Sequence, residues 1–268
     1  RGTQLYMWLS KGAVLGEISN HPRSFKEDLK RAGYSSYLPQ IKRRQTSSDG
    51  TMKFLFELED GNFIESVLMK YAYGNSLCIS SQVGCRMGCI FCASGLDGLT
   101  RNLTSGEMIG QVYAVEKDIE DRINHIVVMG CGEPLANYDN LSSFIDIITD
   151  NEGRNFSSRN ITISTCGILP KIKRLSQEHP QVNLAISLHS PYDKVRSRLM
   201  PINKSYPLDE LIKACKDYEI TTNRRVTFEY TLIKGENDSD GEAKALSILL
   251  KPLRNSHINV IPLNETAE

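Results

Sequence analysis

The chain has 268 residues, of which 40% are hydrophobic and 24% are charged, which is typical of a globular protein with one or two domains. Its 32 lysine and arginine residues equal its 32 aspartate and glutamate residues in number, so any contact with nucleic acid must come from local patches rather than a global field. No apolar run approaches the roughly 20 residues that cross a bilayer, and the first ten residues do not resemble a signal peptide, so we expect a cytoplasmic protein without membrane contact.

The first 48 residues predict a small helical unit. Leu5, Trp8 and Leu9 fall on one face of a first helix. A second helix is predicted over Ser24–Arg31, with its first serine as the N-cap and Gly33 just beyond its end.

Residues 49–75 predict a β-hairpin extension. Phe54, Phe56 and Leu58 alternate with other residues, and Asp60-Gly61 supplies the turn. In the returning strand, alternation puts Glu65 on one face with apolar neighbours. An acid on an apolar face is unusual, but an exposed strand glutamate is equally compatible with the pattern, so both interpretations stay open.

From residue 76 onward, short β-type runs alternate with helical segments, which predicts parallel strands joined by crossover helices. The predicted strands are Leu77–Ser80, His125–Met129, Ile161–Ser164, Leu184–Leu188, Val226–Leu232 and Ile258–Ile261. The predicted helices are Ser105–Asp118, Asn140–Thr149, Leu169–Ser176, Leu208–Tyr218 and Gly241–Leu250, with a further turn within Pro191–Met200. Since a full eight-stranded barrel needs about 250 residues, residues 76–268 predict an α/β fold with a partial (β/α)6 TIM-like barrel.

Polar and sulfur-bearing residues follow most of these predicted strands. In chain order they are Cys85, Cys89 and Cys92; Gly130 to Glu133; Ser164-Thr165; Ser187 to His189; and Asn264. Active sites of such barrels are built at the C-terminal ends of the strands. We therefore expect these residues to converge on one site.

Three of the seven cysteines crowd into eight residues, at Cys85, Cys89 and Cys92. This clustering favours an intracellular metal or redox role over structural disulfides. A structural zinc ion needs four ligands, and Cys78 would supply the fourth. A four-iron cluster held by three cysteines instead leaves one iron free for a small molecule.

The stretch from Cys78 to Ala93, CISSQVGCRMGCIFCA, resembles the radical S-adenosylmethionine (SAM) motif. Further matching stretches are Arg101 to Thr104, Gly132 to Leu135, Ile163 to Thr165, Ser187 to Pro191, Met200 to Asn203 and Asn259 to Asn264. The three cysteines alone indicate only the superfamily. In this order and over nearly the whole chain, the stretches together resemble the 23S rRNA (adenine-carbon-2) methyltransferases, the RlmN family.

The resemblance implies a cofactor pocket at the strand ends. Cys85, Cys89 and Cys92 are implied to bind one 4Fe–4S cluster per chain. The residues implied to contact SAM are Gly132, Glu133, Ser164, Ser187, Leu188, His189 and Asn264. A carboxylate facing the cofactor's ammonium group is sensible electrostatics. Each residue also has a structural alternative. Gly132-Glu133 could be a turn with a solvated glutamate. Ser164 and Ser187 could be small strand residues, His189 a structural histidine and Asn264 a turn cap.

The resemblance also implies catalytic roles for Glu65 and Cys78. Glu65 is implied to take a proton from the substrate adenine, since methylation of an aromatic carbon ends in proton loss. The methyl group is implied to travel on a cysteine near the C-terminus, where a 5′-deoxyadenosyl radical activates it. Cys78 is implied to release the product through a disulfide bond with that carrier; the alternative is a buried strand cysteine.

The sequence departs from the family pattern at its C-terminal end. It stops at Glu268, and Cys131, Cys166 and Cys215 lack the Ala-Cys-Gly context of the carrier. We expect these three to be pocket or core positions. We also expect the 268-residue chain to bind a cluster and SAM without completing methyl transfer.

Local basic runs are the candidate RNA contacts, although such runs are also common on solvated surfaces. They are Lys42-Arg43-Arg44, Arg196, Arg198, Lys204 and Arg224-Arg225. The expected partners are 23S rRNA in its peptidyl-transferase region, a tRNA, and flavodoxin or ferredoxin as electron donor to a monomeric chain.

Two other functions remain open from the sequence. One is the antibiotic-resistance paralogue, which methylates carbon 8 of the same base. Pro134 resembles the carbon-2 enzymes, whereas Leu135 to Asn137 and His189 to Tyr192 resemble the other group. The second alternative, of another class, is a non-catalytic zinc-bound RNA-binding protein.

Overall fold

The computed structural model describes residues 2–34 and 36–263, and its centre is a nine-stranded sheet. The strands in chain order are β1 (Gln40–Thr46), β2 (Met52–Glu57), β3 (Phe63–Tyr71), β4 (Gly74–Ile79), β5 (Gln82–Gly84), β6 (Leu99–Asn102), β7 (Ile123–Val128), β8 (Ile161–Thr165), β9 (Asn183–Ser187), β10 (Val226–Leu232) and β11 (Ser256–Pro262). The order across the sheet is β1-β2-β3-β4-β7-β8-β9-β10-β11, and β5 pairs with β6 in a separate ribbon.

The helices lie mainly between the later strands. They are α1 (Gly2–Leu9), α2 (Arg23–Arg31), α3 (Ser105–Ile119), α4 (Tyr138–Thr149), α5 (Leu169–Glu178), α6 (Asp193–Leu199), α7 (Leu208–Thr222) and α8 (Asp240–Leu250). The helix α3 begins with a capping box, in which the Thr104 hydroxyl accepts from the Glu107 N–H and the Glu107 carboxylate accepts from the Thr104 N–H.

The predicted series of six parallel strands is confirmed. Strands β4, β7, β8, β9, β10 and β11 are neighbours in that order, and each pair is parallel. Helices connect each strand to the next, as the alternation of short apolar runs and amphipathic segments indicates. The α/β class with a partial barrel is therefore confirmed.

The predicted hairpin is also confirmed, and it extends the same sheet. In antiparallel pairing, Leu55 of β2 lies opposite Glu65 of β3, and Val67 of β3 lies opposite Cys78 of β4. Strand β1 adds an edge strand that pairs with β2. Helical structure therefore does not continue to residue 48 as expected, because residues 40–46 form this strand.

The two N-terminal helices form close to their predicted positions. The helix α2 begins at Arg23, and Pro22 stands at its N-cap without a side-chain hydrogen bond. The expected capping role of Ser24 is therefore wrong. The end of α2 is as predicted, since Gly33 adopts a φ of +84° there.

The two faces of the sheet have different roles. Leu77 and Ile79 of β4 are fully buried in the core with residues of α3 and α4. Cys78 between them points to the opposite, concave face, because successive strand residues alternate. Strand pairing places on that same face Glu65, Val67, Val127, Ser164, Ser187 and Glu229.

Candidate active site

The three-cysteine segment forms a closed loop between β5 and β6. These strands pair antiparallel, with Gln82 opposite Asn102. At the loop's base, the Cys85 N–H donates to the Gly98 carbonyl at 2.9 Å. The loop follows β4 by a few residues, so it lies at the C-terminal edge of the parallel strands, as the sequence predicts.

The thiols of this loop are partly exposed and close enough for their charges to interact. Burial raises the pKa of Cys85, and burial together with Cys92 raises the pKa of Cys89 to about 12. Metal ligation removes the proton from such a thiol. All seven cysteines are free, so no disulfide engages the three.

The donor chemistry of these three thiols, which lie on one loop, fits an iron–sulfur cluster. Within the described residues, no three His, Cys, Asp or Glu side chains converge on one position able to hold a single metal ion. An all-thiol donor set is the one that iron–sulfur clusters use.

The Gly132-Glu133 turn joins the end of β7 to the base of the cysteine loop. Gly132 has a φ of +104°, and a β-carbon there would lie 2.5 Å from the Gln82 side chain. Gln82 Oε1 accepts from the Glu133 N–H at 2.8 Å. Both the backbone conformation and the close approach therefore require glycine at this position.

The Glu133 carboxylate is buried, so the alternative of a solvated glutamate is wrong. It accepts hydrogen bonds from the Leu135 N–H at 3.0 Å, the Thr165 hydroxyl at 2.7 Å and the Cys166 N–H at 2.8 Å. Burial raises the pKa of this carboxyl. The side chain thus ties the end of β7 to the end of β8.

The predicted serines lie where the next two strands end. Ser164 of β8 and Ser187 of β9 are partly buried on the concave face, and Ser187 stands opposite Glu229 of β10. The Leu188 side chain is fully buried. Asn264 lies outside the described residues.

His189 connects the end of β9 to the cysteine loop. Its φ is +57°, a conformation that costs a non-glycine residue energy. Its Nδ1 accepts from the Thr231 N–H at 2.9 Å, and its ring packs edge-on against Phe91, with 4.6 Å between centroids. Burial lowers the pKa of His189 to about 3, so the ring is neutral and carries its proton on Nε2.

Glu65 and Cys78 lie on the concave face of adjacent strands. The Glu65 carboxylate is half exposed, and the Lys53 ammonium lies 2.7 Å from it. Burial raises the pKa of Cys78 to about 11, so this thiol is protonated at neutral pH. The Glu65 carboxylate is solvent-accessible and lies on the same face of the sheet as Cys78, which fits an exposed strand glutamate as well as a catalytic one.

The basic residues that were expected to contact RNA lie in different parts of the structure. Arg196 is fully buried, so the expectation that it contacts RNA is wrong. Lys42 and Arg44 lie on β1, in ion pairs with Glu57 and Asp118. The remaining run, Arg224-Arg225, directly precedes β10, at the end of the sheet opposite the cysteine loop.

Two supporting residues were missed by the sequence analysis. Gln82 holds the Gly132-Glu133 turn, and its amide donates to Asn102 at 2.7 Å. The Asn237 amide donates to the carbonyls of His189 and Thr231 at 2.7 Å each. Gln82 stands within the cysteine motif, but its partners lie 20 and 51 residues away in sequence, and Asn237 binds the His189 carbonyl 48 residues away.

Comparison with known proteins agrees with this geometry. The family described as the radical SAM superfamily matches residues 79–246. A probable dual-specificity RNA methyltransferase RlmN from Clostridium novyi is 52% identical over 270 residues, which cover 100% of this chain and 78% of that protein. A protein of the same name from Alkaliphilus oremlandii is 48% identical over 269 residues, with 100% and 78% covered.

A solved structure has the same fold. The crystal structure of a radical SAM methyltransferase from Sphaerobacter thermophilus matches with a TM-score of 0.93 and 44% identity, covering 99% of this chain and 79% of that chain. The chain belongs to the RlmN family of radical SAM methyltransferases. The resemblance that the motifs indicate is thus confirmed.

Membership of the RlmN family narrows the possible functions. The chain is an enzyme of the RNA-methylating class, which excludes the alternative of a non-catalytic zinc-bound RNA-binding protein. Its relatives carry the RlmN name, which does not favour the alternative of a carbon-8 methyltransferase of the resistance type. Radical SAM enzymes use a 4Fe–4S cluster and SAM. Among the described residues, no helix has the length and apolar character needed to cross a membrane.

Proposed function

We propose that this RlmN-family enzyme methylates carbon 2 of an adenosine in the peptidyl-transferase region of 23S rRNA, and of a tRNA adenosine. The observation that carries the proposal is the common position of the cysteine loop, the strand-end residues and Glu65 around one concave face. The dual-specificity name of the relatives supports two RNA substrates.

The cofactors would bind at the C-terminal edge of the parallel strands. Cys85, Cys89 and Cys92 would hold the cluster, which together with SAM supplies the radical chemistry that activates the methyl group. The chain's own part is binding and orientation. Because three protein donors engage the Glu133 carboxylate, the Gly132-Glu133 turn would contact SAM through its main chain.

The remaining strand-end groups offer complementary contacts to SAM. Ser164 and Ser187 present hydroxyls from the concave face. His189 presents an Nε2–H donor, since its Nδ1 is already an acceptor. The main chain of Leu188, whose side chain is buried, and Asn264 complete the proposed set.

Glu65 would accept the proton that the adenine ring loses. Its carboxylate is accessible to a base entering the concave face, and Lys53 contacts it from the adjacent strand. A positioned carboxylate is suited to this proton transfer. Cys78, one strand away, would serve in product release by pairing with the family's methyl-carrying cysteine.

RNA would approach the mouth of the concave face, with the target adenine extruded from its stack. The unit formed by α1 and α2 would dock RNA by shape, and the basic residues of β1 would contact phosphates. A flavodoxin- or ferredoxin-type protein would supply electrons to the chain, which we propose acts as a monomer in the cytoplasm.

Mass spectrometry of nucleosides tests this function. The chain, joined at its C-terminal end to a family segment with the methyl-carrying cysteine, is incubated with 23S rRNA fragments or tRNA, SAM and a reductant, and the RNA is then digested. We expect 2-methyladenosine from both RNAs. Formation of 8-methyladenosine, or of no methylated adenosine at all, would overturn the proposal.

A further inference from the structure

Arg196 of α6 carries a buried positive charge whose hydrogen-bond partners are all uncharged. Its side chain is 0% exposed. Nε donates to the Leu188 carbonyl at 3.1 Å, and Nη1 donates to Asn203 Oδ1 at 2.7 Å. Nη2 donates to the carbonyls of Cys166 and Ser187 at 2.8 and 3.0 Å. A buried charge is costly unless an opposite charge lies close.

The acidic residue of the same helix does not contact this guanidinium directly. The Asp193 carboxylate instead accepts from the Asn203 amide at 2.8 Å and from the Leu208 N–H at 2.9 Å. It lies on the exposed side of α6. Its charge still attracts that of Arg196, but solvent on this side of the helix screens the attraction.

The cysteine loop lies directly against the segment that carries Arg196. The Ile90 N–H donates to the Leu199 carbonyl at 3.1 Å. Cys89 packs against a small apolar cluster formed by Cys166, Leu199 and Met200. Arg196 Nη2 donates to the carbonyl of Cys166, the residue against which Cys89 packs, so the guanidinium lies close to the cysteine loop.

We infer that Arg196 is the counter-charge of the iron–sulfur cluster and raises its reduction potential. This inference rests on the proposed function, because it requires the cluster at Cys85, Cys89 and Cys92. A cluster held by three thiolates is negatively charged, and one-electron reduction adds a further negative charge. A cation in a water-poor setting stabilises the reduced form more than the oxidised form.

The same hydrogen bonds give Arg196 a positioning role. Three of them end on the carbonyls of Cys166, Ser187 and Leu188, just beyond or at the ends of β8 and β9. If Arg196 only held these carbonyls in position, its replacement would weaken SAM binding but leave the reduction potential of an intact cluster near the wild-type value. The reduction potential therefore distinguishes a counter-charge role from a positioning role.

A redox titration of the anaerobically reconstituted 268-residue chain, followed by visible absorption and EPR, tests the inference. At a fixed potential, Arg196→Gln is expected to raise the ratio of oxidised to reduced cluster about tenfold, which is about 59 mV for one electron. Arg196→Lys, which retains the charge, should stay closer to wild type. The matched control is Arg198→Gln, since Arg198 is exposed and paired with Glu236.

Equal potentials for Arg196→Gln and Arg198→Gln, with intact clusters, would overturn the inference. Equal shifts for the glutamine and lysine variants would also overturn it, because charge would then not be the cause. A wild-type chain that assembles no cluster would overturn the proposed function as well. These outcomes differ in iron content, so the two failures are distinguishable.

A second variant retains the guanidinium in case Arg196→Gln does not fold. The double change Asp193→Asn with Asn203→Asp keeps the net charge and moves the carboxylate onto Arg196 Nη1. We expect a more negative cluster potential, because the new neighbour cancels part of the arginine's field. A potential equal to that of wild type would overturn the inference.

Discussion

The main-chain N–H of Thr231 donates to Nδ1 of His189 across the ends of β10 and β9, at 2.9 Å. This bond requires an unprotonated Nδ1, so the neutral ring keeps its proton on Nε2. Nitrogen NMR of the labelled protein is therefore expected to show the Nε2–H tautomer at neutral pH. The Nδ1–H tautomer would contradict both the bond and the proposed donor role toward SAM.

The same burial makes the stability of the fold depend on pH. Burial lowers the pKa of His189 to about 3, whereas the unfolded chain titrates near its ordinary value of about 6.5. The neutral ring therefore contributes its full stabilisation above pH 6.5, and this contribution is lost as the pH falls toward 3. In that range the unfolded chain binds a proton at His189 that the folded chain does not bind.

Urea unfolding of the metal-free, reduced chain at several pH values measures this dependence. His189→Asn should remove a slope of up to about 1.4 kcal/mol per pH unit between pH 6.5 and 3. Asparagine tolerates the positive φ of this position. The exposed His257, changed to Asn, is the control and should keep the wild-type slope; identical slopes in all three proteins would contradict the prediction.

A β-carbon at Gly132 is expected to destabilise the fold more than one at Gly98. Both glycines have positive φ, but a β-carbon at Gly98 meets nothing within 4 Å, whereas one at Gly132 lies 2.5 Å from Gln82. Gly98→Ala should cost about 1 kcal/mol through backbone strain, and Gly132→Ala at least about 3 kcal/mol through strain and overpacking. Equal free energies of unfolding for the two variants would contradict the prediction, because the Gln82 side chain would then have moved away from the new β-carbon at little cost.

In the chain joined to the carrier segment, replacement of Glu65 by Gln is expected to lower RNA methylation by about 100-fold or more, because the general base is lost. Cleavage of SAM and iron content should be unchanged, since Glu65 lies on the hairpin rather than on the cysteine loop. Glu152→Gln is the control, because Glu152 is exposed in the loop that precedes β8, at the end of the sheet opposite the cysteine loop. Unimpaired methylation by Glu65→Gln would exclude the proposed role.

The six apolar parallel strands were predictable from the sequence, whereas the polar strand β1 and the short strands β5 and β6 were not. The six parallel strands are short apolar runs, so their burial is visible in the sequence. Strand β1, with the sequence QIKRRQT, has a single aliphatic residue and is mostly exposed, so it forms because β2 offers an edge for pairing. Strands β5 and β6 have only three and four residues, too few for a period to emerge.

The positions of the candidate site residues were predictable where a motif and a strand end coincide, as at Cys85 and Ser187. The burial of Arg196 was not predictable, because a lone arginine in a mixed helix is usually solvated. Its partners include carbonyls 30 and 9 residues away in sequence, at Cys166 and Ser187. Only the folded chain brings these carbonyls close to the guanidinium. Because every residue has a main-chain carbonyl, such acceptors do not produce a sequence motif.

The iron and sulfide content of the anaerobically reconstituted 268-residue chain tests the central claim most directly. The account predicts about four irons and four sulfides per chain, lost when Cys85, Cys89 and Cys92 are replaced by Ala. Replacement of the neighbouring Cys131 by Ala should retain them, since this thiol lies outside the proposed ligand set. Zinc without iron in the wild-type chain, or a cluster that survives the triple replacement, would contradict the account.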